Sequence, residues 1–136
     1  MRLLLDTNII AFILAERLDR NTKALLSDYS NEVFVSSVSM MEFIHLWKNG
    51  RVGMGKKRNI EPFSFVENEV GLQIKYFDRN CLKCFAALPL FPNHNDPVDR
   101  LIISQAIAEH LELVSTDTKF SQYTPFGLSF IQASHI

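Results

Sequence analysis

The sequence contains no apolar run long enough to cross a membrane. A spanning helix needs about 20 apolar residues, and Asp6 and Asn8 interrupt the apolar N-terminus. The next apolar run, 9–14, is short and lacks a following cleavage-like sequence, so we expect no signal peptide and a cytoplasmic location. The composition, 47% hydrophobic and 21% charged, is typical of a folded globular protein. A chain of 136 residues fits one domain, 1–136.

Cysteine is scarce. The two cysteines, Cys81 and Cys84, form a C-x-x-C pair. A zinc site would need two more ligands in register, and none is evident. A thioredoxin-type motif would follow a first strand, whereas this pair falls late in an apolar stretch with helical character. We interpret the pair as two helix residues one turn apart.

Signatures of several enzyme classes are also missing. The sequence has no histidine pair at zinc spacing, no glycine-rich phosphate loop and no nucleophile elbow. We expect His45 and His94 at the surface or at helix caps rather than as ligands, because hard metal ions prefer oxygen. The single tryptophan, Trp47, is expected in the core rather than as a base-stacking platform. These absences leave the carboxylates as candidate catalytic groups.

Basic residues are concentrated in one segment. The net charge is −1, but residues 43–60 contain no acid, so the rest of the chain is net acidic. Such a segment could hold phosphates near a metal site, or it could be a solvated loop around its glycines. Both interpretations stay open at this point. The basic residues are Lys48, Arg51, Lys56, Lys57 and Arg58.

Strand-like and helical segments alternate along the chain. The patterns predict strands over 2–5, 32–36, 72–76, 112–115 and 128–131. They predict helices over 7–15, 21–29, 39–49, 61–70, 79–88 and 97–109. This alternation implies right-handed crossovers and an α/β fold, a three-layer α/β/α sandwich with a mostly parallel sheet. In such sheets the ligand site lies outside the carboxyl ends of the strands.

Four acids are placed to meet at that edge. Asp6 ends the first predicted strand, and Asp117 lies two residues beyond the strand over 112–115. Asp99 lies in the first turn of the helix opened by Pro97. Glu42 lies in the first turn of the helix that we expect to begin at Ser39. If both helices begin at the carboxyl edge, acids from distant parts of the chain converge there.

Three of these acids have simpler structural interpretations. Ser39 and Glu42 have the spacing of a capping box, in which the glutamate bonds the backbone of the serine. Asp96 and Asp99 flank Pro97, where one can cap the helix and the other can favour the positive end of its dipole. An aspartate at 117 could cap a short helix toward Tyr123.

Asp6 is harder to explain without a ligand. It follows three leucines in what should be the central strand, where an unpaired carboxylate costs several kcal/mol, so we expect a cation nearby. Clustered carboxylates repel one another, and a divalent cation reverses that balance. Magnesium takes oxygen ligands, and one or two such ions can activate water and stabilise the leaving oxygen at a phosphodiester.

Four pieces of sequence, in order, carry a family resemblance. They are Leu-Leu-Asp-Thr-Asn at 4–8, Ser-Val-Ser-Met-Met-Glu at 37–42, His-Asn-Asp-Pro-Val-Asp-Arg-Leu-Ile-Ile-Ser-Gln-Ala at 94–106, and Leu-Val-Ser-Thr-Asp at 113–117. Together they resemble the PIN-domain ribonucleases, most closely the VapC-type toxins of bacterial toxin–antitoxin pairs. The resemblance covers nearly the whole chain. It departs from the family at Asn95, where many relatives have a basic residue, and at Val98, where an aromatic residue is common.

The resemblance implies a role for particular residues. As catalytic and metal-binding acids it implies Asp6, Glu42, Asp99 and Asp117. As polar supports it implies Thr7, Asn8 and Thr116, with Asp96 as a helix cap or an outer support. The candidate RNA-binding residues are those of the basic segment.

The resemblance also implies an activity. It is hydrolysis of RNA by a Mg²⁺- or Mn²⁺-dependent endoribonuclease, giving a 5′-phosphate and a 3′-hydroxyl. The implied partners are an RNA substrate, a cognate antitoxin whose tail enters the acidic pocket, and a second copy in a homodimer. Two alternatives stay open: a binding module with this fold but no catalysis, and a phosphatase with Asp6 as nucleophile. The phosphatase mechanism requires a second acid two residues after the nucleophile, where the chain has Asn8.

Overall fold

A five-stranded sheet forms the centre of the protein. The computed structural model describes residues 1–55 and 60–136. The sheet order is β3-β2-β1-β4-β5, and every neighbouring pair is parallel. The strands are β1 (Arg2–Leu5), β2 (Glu32–Ser36), β3 (Gln73–Lys75), β4 (Glu112–Ser115) and β5 (Ser129–Gln132). The predicted parallel sheet is confirmed, and its strands lie within a residue or so of the predicted positions.

Helices connect the strands. They are α1 (Thr7–Leu14), α2 (Arg20–Ser27), α3 (Ser37–Lys48), α4 (Pro62–Ser64), a π-helical turn (Phe65–Val70), α5 (Arg79–Ala87), α6 (Pro97–Glu109) and a 3₁₀ helix (Thr118–Phe126). Cys81 and Cys84 both lie on α5, as predicted, and both are free thiols. Within the described ranges, no helix combines the length and the apolar character needed to span a bilayer.

The helices cover both faces of the sheet. Successive side chains of a strand point to opposite faces, so Leu3 and Leu5 join one core cluster and Leu4 joins the other. The first cluster contains residues of α1, α3 and the π-helical turn, and the second contains residues of α6 and the 3₁₀ helix. Leu3, Leu4 and Leu5 are completely buried, which explains why β1 is an uninterrupted apolar run. The predicted three-layer sandwich is confirmed.

Helix α3 begins two residues earlier than the sequence suggests. Ser36, the last residue of β2, is the N-cap, and its hydroxyl accepts a hydrogen bond from the Val38 N–H at 3.0 Å. Ser39 is therefore inside the helix, and the predicted capping box between Ser39 and Glu42 is wrong. Glu42 lies in the second turn of α3, where its carboxylate does not cap the helix.

The strand order creates one crevice at the carboxyl edge. The chain proceeds from β1 to β2 and β3 on one side, then crosses to β4 and β5 on the other side. The order therefore reverses between β1 and β4. In open α/β sheets ligands bind at this reversal, outside the carboxyl ends of the strands. Asp6 and Asp117 follow those two strands.

A buried arginine fixes the loop that follows α5. Arg100 on α6 is 6% exposed, and its guanidinium donates to the carbonyls of Pro89 at 2.6 Å and Leu88 at 3.2 Å. The guanidinium also lies over the Phe85 ring, 5.6 Å from its centroid. The loop thus held leads directly to His94.

We expect Arg100→Met to lower the free energy of unfolding by about 1–3 kcal/mol, because both carbonyls lose their donor. Urea unfolding measures the change. Arg79→Met, at the exposed first residue of α5, is the matched control and should change stability by less than about 0.5 kcal/mol. Equal effects of the two substitutions would contradict the structural role of Arg100.

Candidate active site

Asp6 is held rigidly at the end of β1. Its backbone N–H donates to the Val114 carbonyl of β4 at 3.0 Å. Its carboxylate accepts from the Thr7 N–H at 2.8 Å, which caps α1, and from the Ser115 hydroxyl at 2.7 Å. The sequence predicts a cation beside this carboxylate, but among the described residues Asp6 forms no ion pair. Burial, with 4% of the residue exposed, raises the pKa of Asp6 to about 6.

A small cavity opens beside Asp6. It has a volume of about 260 Å³ and is lined by polar groups on one side and by apolar residues of α1 and α3 on the other. The lining acids are Asp6, Glu42 and Asp99. Three of the four predicted acids, from β1, α3 and α6, therefore lie around one space.

The fourth acid joins them through a histidine. Asp117 caps the 3₁₀ helix by accepting from the Lys119 N–H at 2.9 Å. One of its carboxylate oxygens lies 4.0 Å from Nε2 of His94, and that nitrogen is 3.3 Å from a carboxylate oxygen of Asp99. Side-chain donor atoms of His94, Asp99 and Asp117 lie within 4.8 Å of one another. The capping role predicted as the simpler interpretation of Asp117 is real, and it leaves one oxygen directed at the cluster.

The clustered carboxylates repel one another. Burial is the main cause that raises the pKa of Asp99 to about 7, and nearby negative charges raise it further. Those charges belong to Asp6, Asp96, Glu42 and Asp117. Glu42 and Asp117 act on Asp6 in the same direction. The site is therefore electrostatically unfavourable when all four acids are ionised without a cation.

The predicted polar supports surround Asp6. Asn8 donates to the Thr116 hydroxyl at 2.9 Å, which links α1 to the segment after β4. The Thr7 hydroxyl and the Asn8 carbonyl oxygen are buried without a hydrogen-bond partner among the described residues, and both residues line the cavity. Sequence reasoning missed Ser115, whose hydroxyl donates to Asp6 and accepts from the Asp117 N–H at 3.0 Å.

Asp96 lies outside this cluster of contacts. It is the exposed N-cap of α6, and its carboxylate accepts from the N–H groups of Val98 at 2.9 Å and Asp99 at 3.3 Å. The cap begins α6 at Pro97 and so places Asp99 in the first turn. The helix-cap interpretation of Asp96 is the one that the contacts support.

His94 is not the surface or capping residue expected from the sequence. It is 5% exposed, and its ring lies edge-on to Phe120 and Tyr123 at centroid distances of 5.3 and 5.4 Å. Burial lowers its pKa, against the opposing charge of Asp117. The sequence signal was its position two residues before Asp96. The burial depends on the 3₁₀ helix, which local sequence patterns did not place over the loop.

Part of the basic segment lies within the described residues. Lys48 and Arg51 are exposed, and the Lys48 ammonium lies 5.7 Å from the centroid of the Trp47 ring. Trp47 is half-buried and packs against the core cluster of α1 and α3, so the core interpretation of this residue is confirmed. Lys56, Lys57 and Arg58 lie outside the described residues. The phosphate-binding interpretation therefore stays a prediction.

The donor set fits a divalent cation. Carboxylate oxygens from four chain segments are hard donors of the kind that magnesium and manganese accept, and so are the buried oxygens of Thr7 and Asn8, which have no hydrogen-bond partner in the described part of the chain. A cation would also offset the burial and the repulsion that together raise the pKa of Asp6 and Asp99. The residues that would hold it are Asp6, Glu42, Asp99 and Asp117.

Solved structures share this fold. VapBC2 from Rickettsia felis, bound to a DNA fragment from its promoter, matches with a TM-score of 0.72 and 23% identity, over 98% of this chain and 100% of that chain. FitAcB from Neisseria gonorrhoeae matches with a TM-score of 0.71 and 19% identity, over 96% of both chains. VapC20 from Mycobacterium tuberculosis, described as a sarcin-ricin loop cleaving toxin, has a TM-score of 0.59 and 12% identity, over 88% of this chain and 93% of that chain.

The sequence comparisons add the family. No curated protein matches the chain. The sequence profile of the PIN domain, however, matches residues 3–124, a range that contains all four acids and the supports around them. Because this match extends over nearly the whole length, the chain belongs to the PIN-domain family.

Proposed function

We propose that the protein is an endoribonuclease that requires Mg²⁺ or Mn²⁺. The observation that carries the proposal is the meeting of Asp6, Glu42, Asp99 and Asp117 at the reversal of strand order. Two of these carboxylates have raised pKa values, as expected for a site that becomes stable when a cation is present. Membership of the PIN-domain family supports a nuclease, and a structural neighbour is described as a sarcin-ricin loop cleaving toxin.

The chain's residues divide the work. A bound divalent cation supplies the charge that lowers the pKa of a water molecule and stabilises the leaving oxygen of the phosphodiester. Ser115 and the Thr7 N–H hold the Asp6 carboxylate in one orientation. The hydrogen bond between Asn8 and Thr116 fixes α1 against the segment that carries Asp117. No side chain has to form a covalent bond to the substrate, and the products are a 5′-phosphate and a 3′-hydroxyl.

The direct test uses purified protein and an end-labelled RNA. We expect cleavage with Mn²⁺ or Mg²⁺, loss of cleavage with a chelator, and recovery when the metal is restored in excess. Mapping the product ends should show a 5′-phosphate. Metal-independent cleavage, or a 2′,3′-cyclic phosphate product, would contradict the mechanism.

Glu42→Gln should reduce cleavage by about 100-fold, because the amide keeps the shape of the side chain but removes one negative ligand from the cavity. Initial rates at saturating metal measure the loss. Glu67→Gln, on the exposed side of the π-helical turn, is the matched control and should retain full activity. Equal rates for Glu42→Gln and the control would show that Glu42 takes no part in catalysis.

We also propose that the protein acts as the toxin of a toxin–antitoxin pair. Structures described as VapBC and toxin–antitoxin complexes share its fold over almost their whole length. The expected partners are a cognate antitoxin and a second copy in a homodimer. Induced expression should arrest growth, and a short neighbouring gene for a DNA-binding protein should relieve the arrest. Arrest that persists in Asp6→Asn would favour a binding module without catalysis.

A further inference from the structure

The imidazole of His94 is fixed at the edge of the acid cluster. The residue is 5% exposed, and Phe120 and Tyr123 of the 3₁₀ helix contact its ring edge-on. Nδ1 lies 2.8 Å from the Tyr123 hydroxyl oxygen. The Arg100 guanidinium anchors the start of the loop that brings His94 here. The ring therefore has one orientation rather than several.

The hydrogen bonds assign the tautomer of this ring. The Tyr123 hydroxyl donates to the His94 backbone carbonyl at 3.3 Å. A hydroxyl has a single proton. With that proton directed at the carbonyl, its oxygen accepts at the 2.8 Å contact and Nδ1 carries the hydrogen, and the lack of a hydrogen-bond partner for Nε2 among the described residues fits the same tautomer. In the neutral imidazole the other nitrogen, Nε2, then has a free lone pair.

The charged groups that lie close to that lone pair, among the described residues, are carboxylates. Nε2 is buried without a hydrogen-bond partner among the described residues. Carboxylate oxygens of Asp99 and Asp117 lie 3.3 and 4.0 Å from it. When Asp99 is ionised, these three atoms are all electron-rich and no described residue places a donor between them, so a cation there would offset their repulsion. Two ligands at right angles on an ion at about 2.1 Å are about 3 Å apart, close to the observed distance to Asp99.

We propose that Nε2 of His94 is a direct ligand of the divalent cation, beside Asp99 and Asp117, and that it biases the site toward first-row transition ions over Mg²⁺. The inference rests on the proposed metal-dependent function. Magnesium prefers an all-oxygen shell, whereas Mn²⁺ and especially Co²⁺ accept imidazole nitrogen. One buried nitrogen among carboxylates therefore changes which ion binds more tightly, while the overall charge of the site stays the same.

Electron spin echo spectroscopy of the Mn²⁺-loaded protein provides a test that is independent of activity. We expect modulation from a directly coordinated ¹⁴N, which changes to the ¹⁵N pattern when only histidine is ¹⁵N-labelled. The modulation should persist in His45→Gln, whose imidazole is exposed on α3, and disappear in His94→Phe. A parent protein that binds Mn²⁺ without histidine modulation would overturn the proposal, even if His94→Phe failed to fold.

Titration calorimetry with Co²⁺ and Mg²⁺ gives the second readout. His94→Phe should weaken Co²⁺ binding by about tenfold or more and change Mg²⁺ binding by less than about threefold. Retained Mg²⁺ binding shows that the carboxylates of the variant are intact. Equal losses for both ions would mean that His94 only supports the fold. If the parent protein binds no divalent ion, both the proposed function and this inference are wrong. If it binds the ion through oxygen ligands alone, only this inference is wrong.

Discussion

Asp6→Asn is expected to reduce RNA cleavage by at least about 1,000-fold. Asparagine keeps the size of the side chain and an oxygen that can still accept from the Thr7 N–H, so α1 should stay capped. It removes the negative charge from the most enclosed of the four acids, 4% exposed at the end of the central strand. A cation bound there loses an anionic ligand, and a water molecule in the same position would not supply the missing negative charge.

Rates measured over a range of Mn²⁺ concentrations separate weaker binding from slower chemistry. The matched control is Asp19→Asn, because Asp19 is also a helix N-cap, accepting from the Thr22 N–H at 2.9 Å at the start of α2. The control should cleave at the parent rate. Asp6→Asn protein that keeps more than a tenth of the parent activity at saturating metal would exclude Asp6 as a metal ligand in catalysis.

Asparagine is the better substitution here because Asp6 has two roles. Asp6→Ala would remove the cap of α1 and leave the Ser115 hydroxyl without its acceptor. A helix cap contributes about 1 kcal/mol, and this loss opposes the relief of repulsion among the acids. Among the described residues, no group donates a hydrogen bond to the Asp99 carboxylate, and Asp99 is not a helix cap, so its replacement reports the repulsion more directly.

The strands of the sheet could be predicted from the sequence because the patterns that indicate them are local and strong. Leu3 to Leu5 are apolar on both faces, and that pattern indicates a central strand covered on both sides. Helix starts were less certain. Ser36 and Ser39 can both cap a helix, and only the end of β2 at Ser36 decides between them. Choosing Ser39 as the cap led to the incorrect prediction that Glu42 completes a capping box.

The convergence of acids could also be predicted, because parallel strands share one carboxyl edge. The neighbours of those acids could not. Ser115 is the last residue of β4, and nothing local indicates that its hydroxyl faces Asp6 rather than the core. His94 is buried by Phe120 and Tyr123, more than 20 residues later in the chain. A polar residue's environment depends on such distant packing, which periodicity does not encode.

The metal-free protein should become less stable through Asp99 as the pH rises. Burial and neighbouring charges raise its pKa from 3.8 to about 7 in the folded state, so the folded protein holds this proton more tightly than the unfolded chain does. The stabilisation is complete below about pH 4 and is lost as the pH rises toward 7. Asp99→Asn has no such proton to lose.

We therefore expect the stability of Asp99→Asn relative to the parent to increase by about 2–4 kcal/mol between pH 4 and pH 8 in the presence of chelator, since each unit of pKa shift corresponds to about 1.4 kcal/mol. Comparing the two proteins cancels titrating groups that lie far from Asp99. Urea unfolding at several pH values measures the difference.

Saturating Mn²⁺ at pH 8 should make the parent more stable than Asp99→Asn, because the ion stabilises the folded protein that retains the Asp99 carboxylate as its ligand. A difference that is constant with pH would mean that Asp99 is not held under repulsion, and the electrostatic reason for a cation at this edge would then be lost.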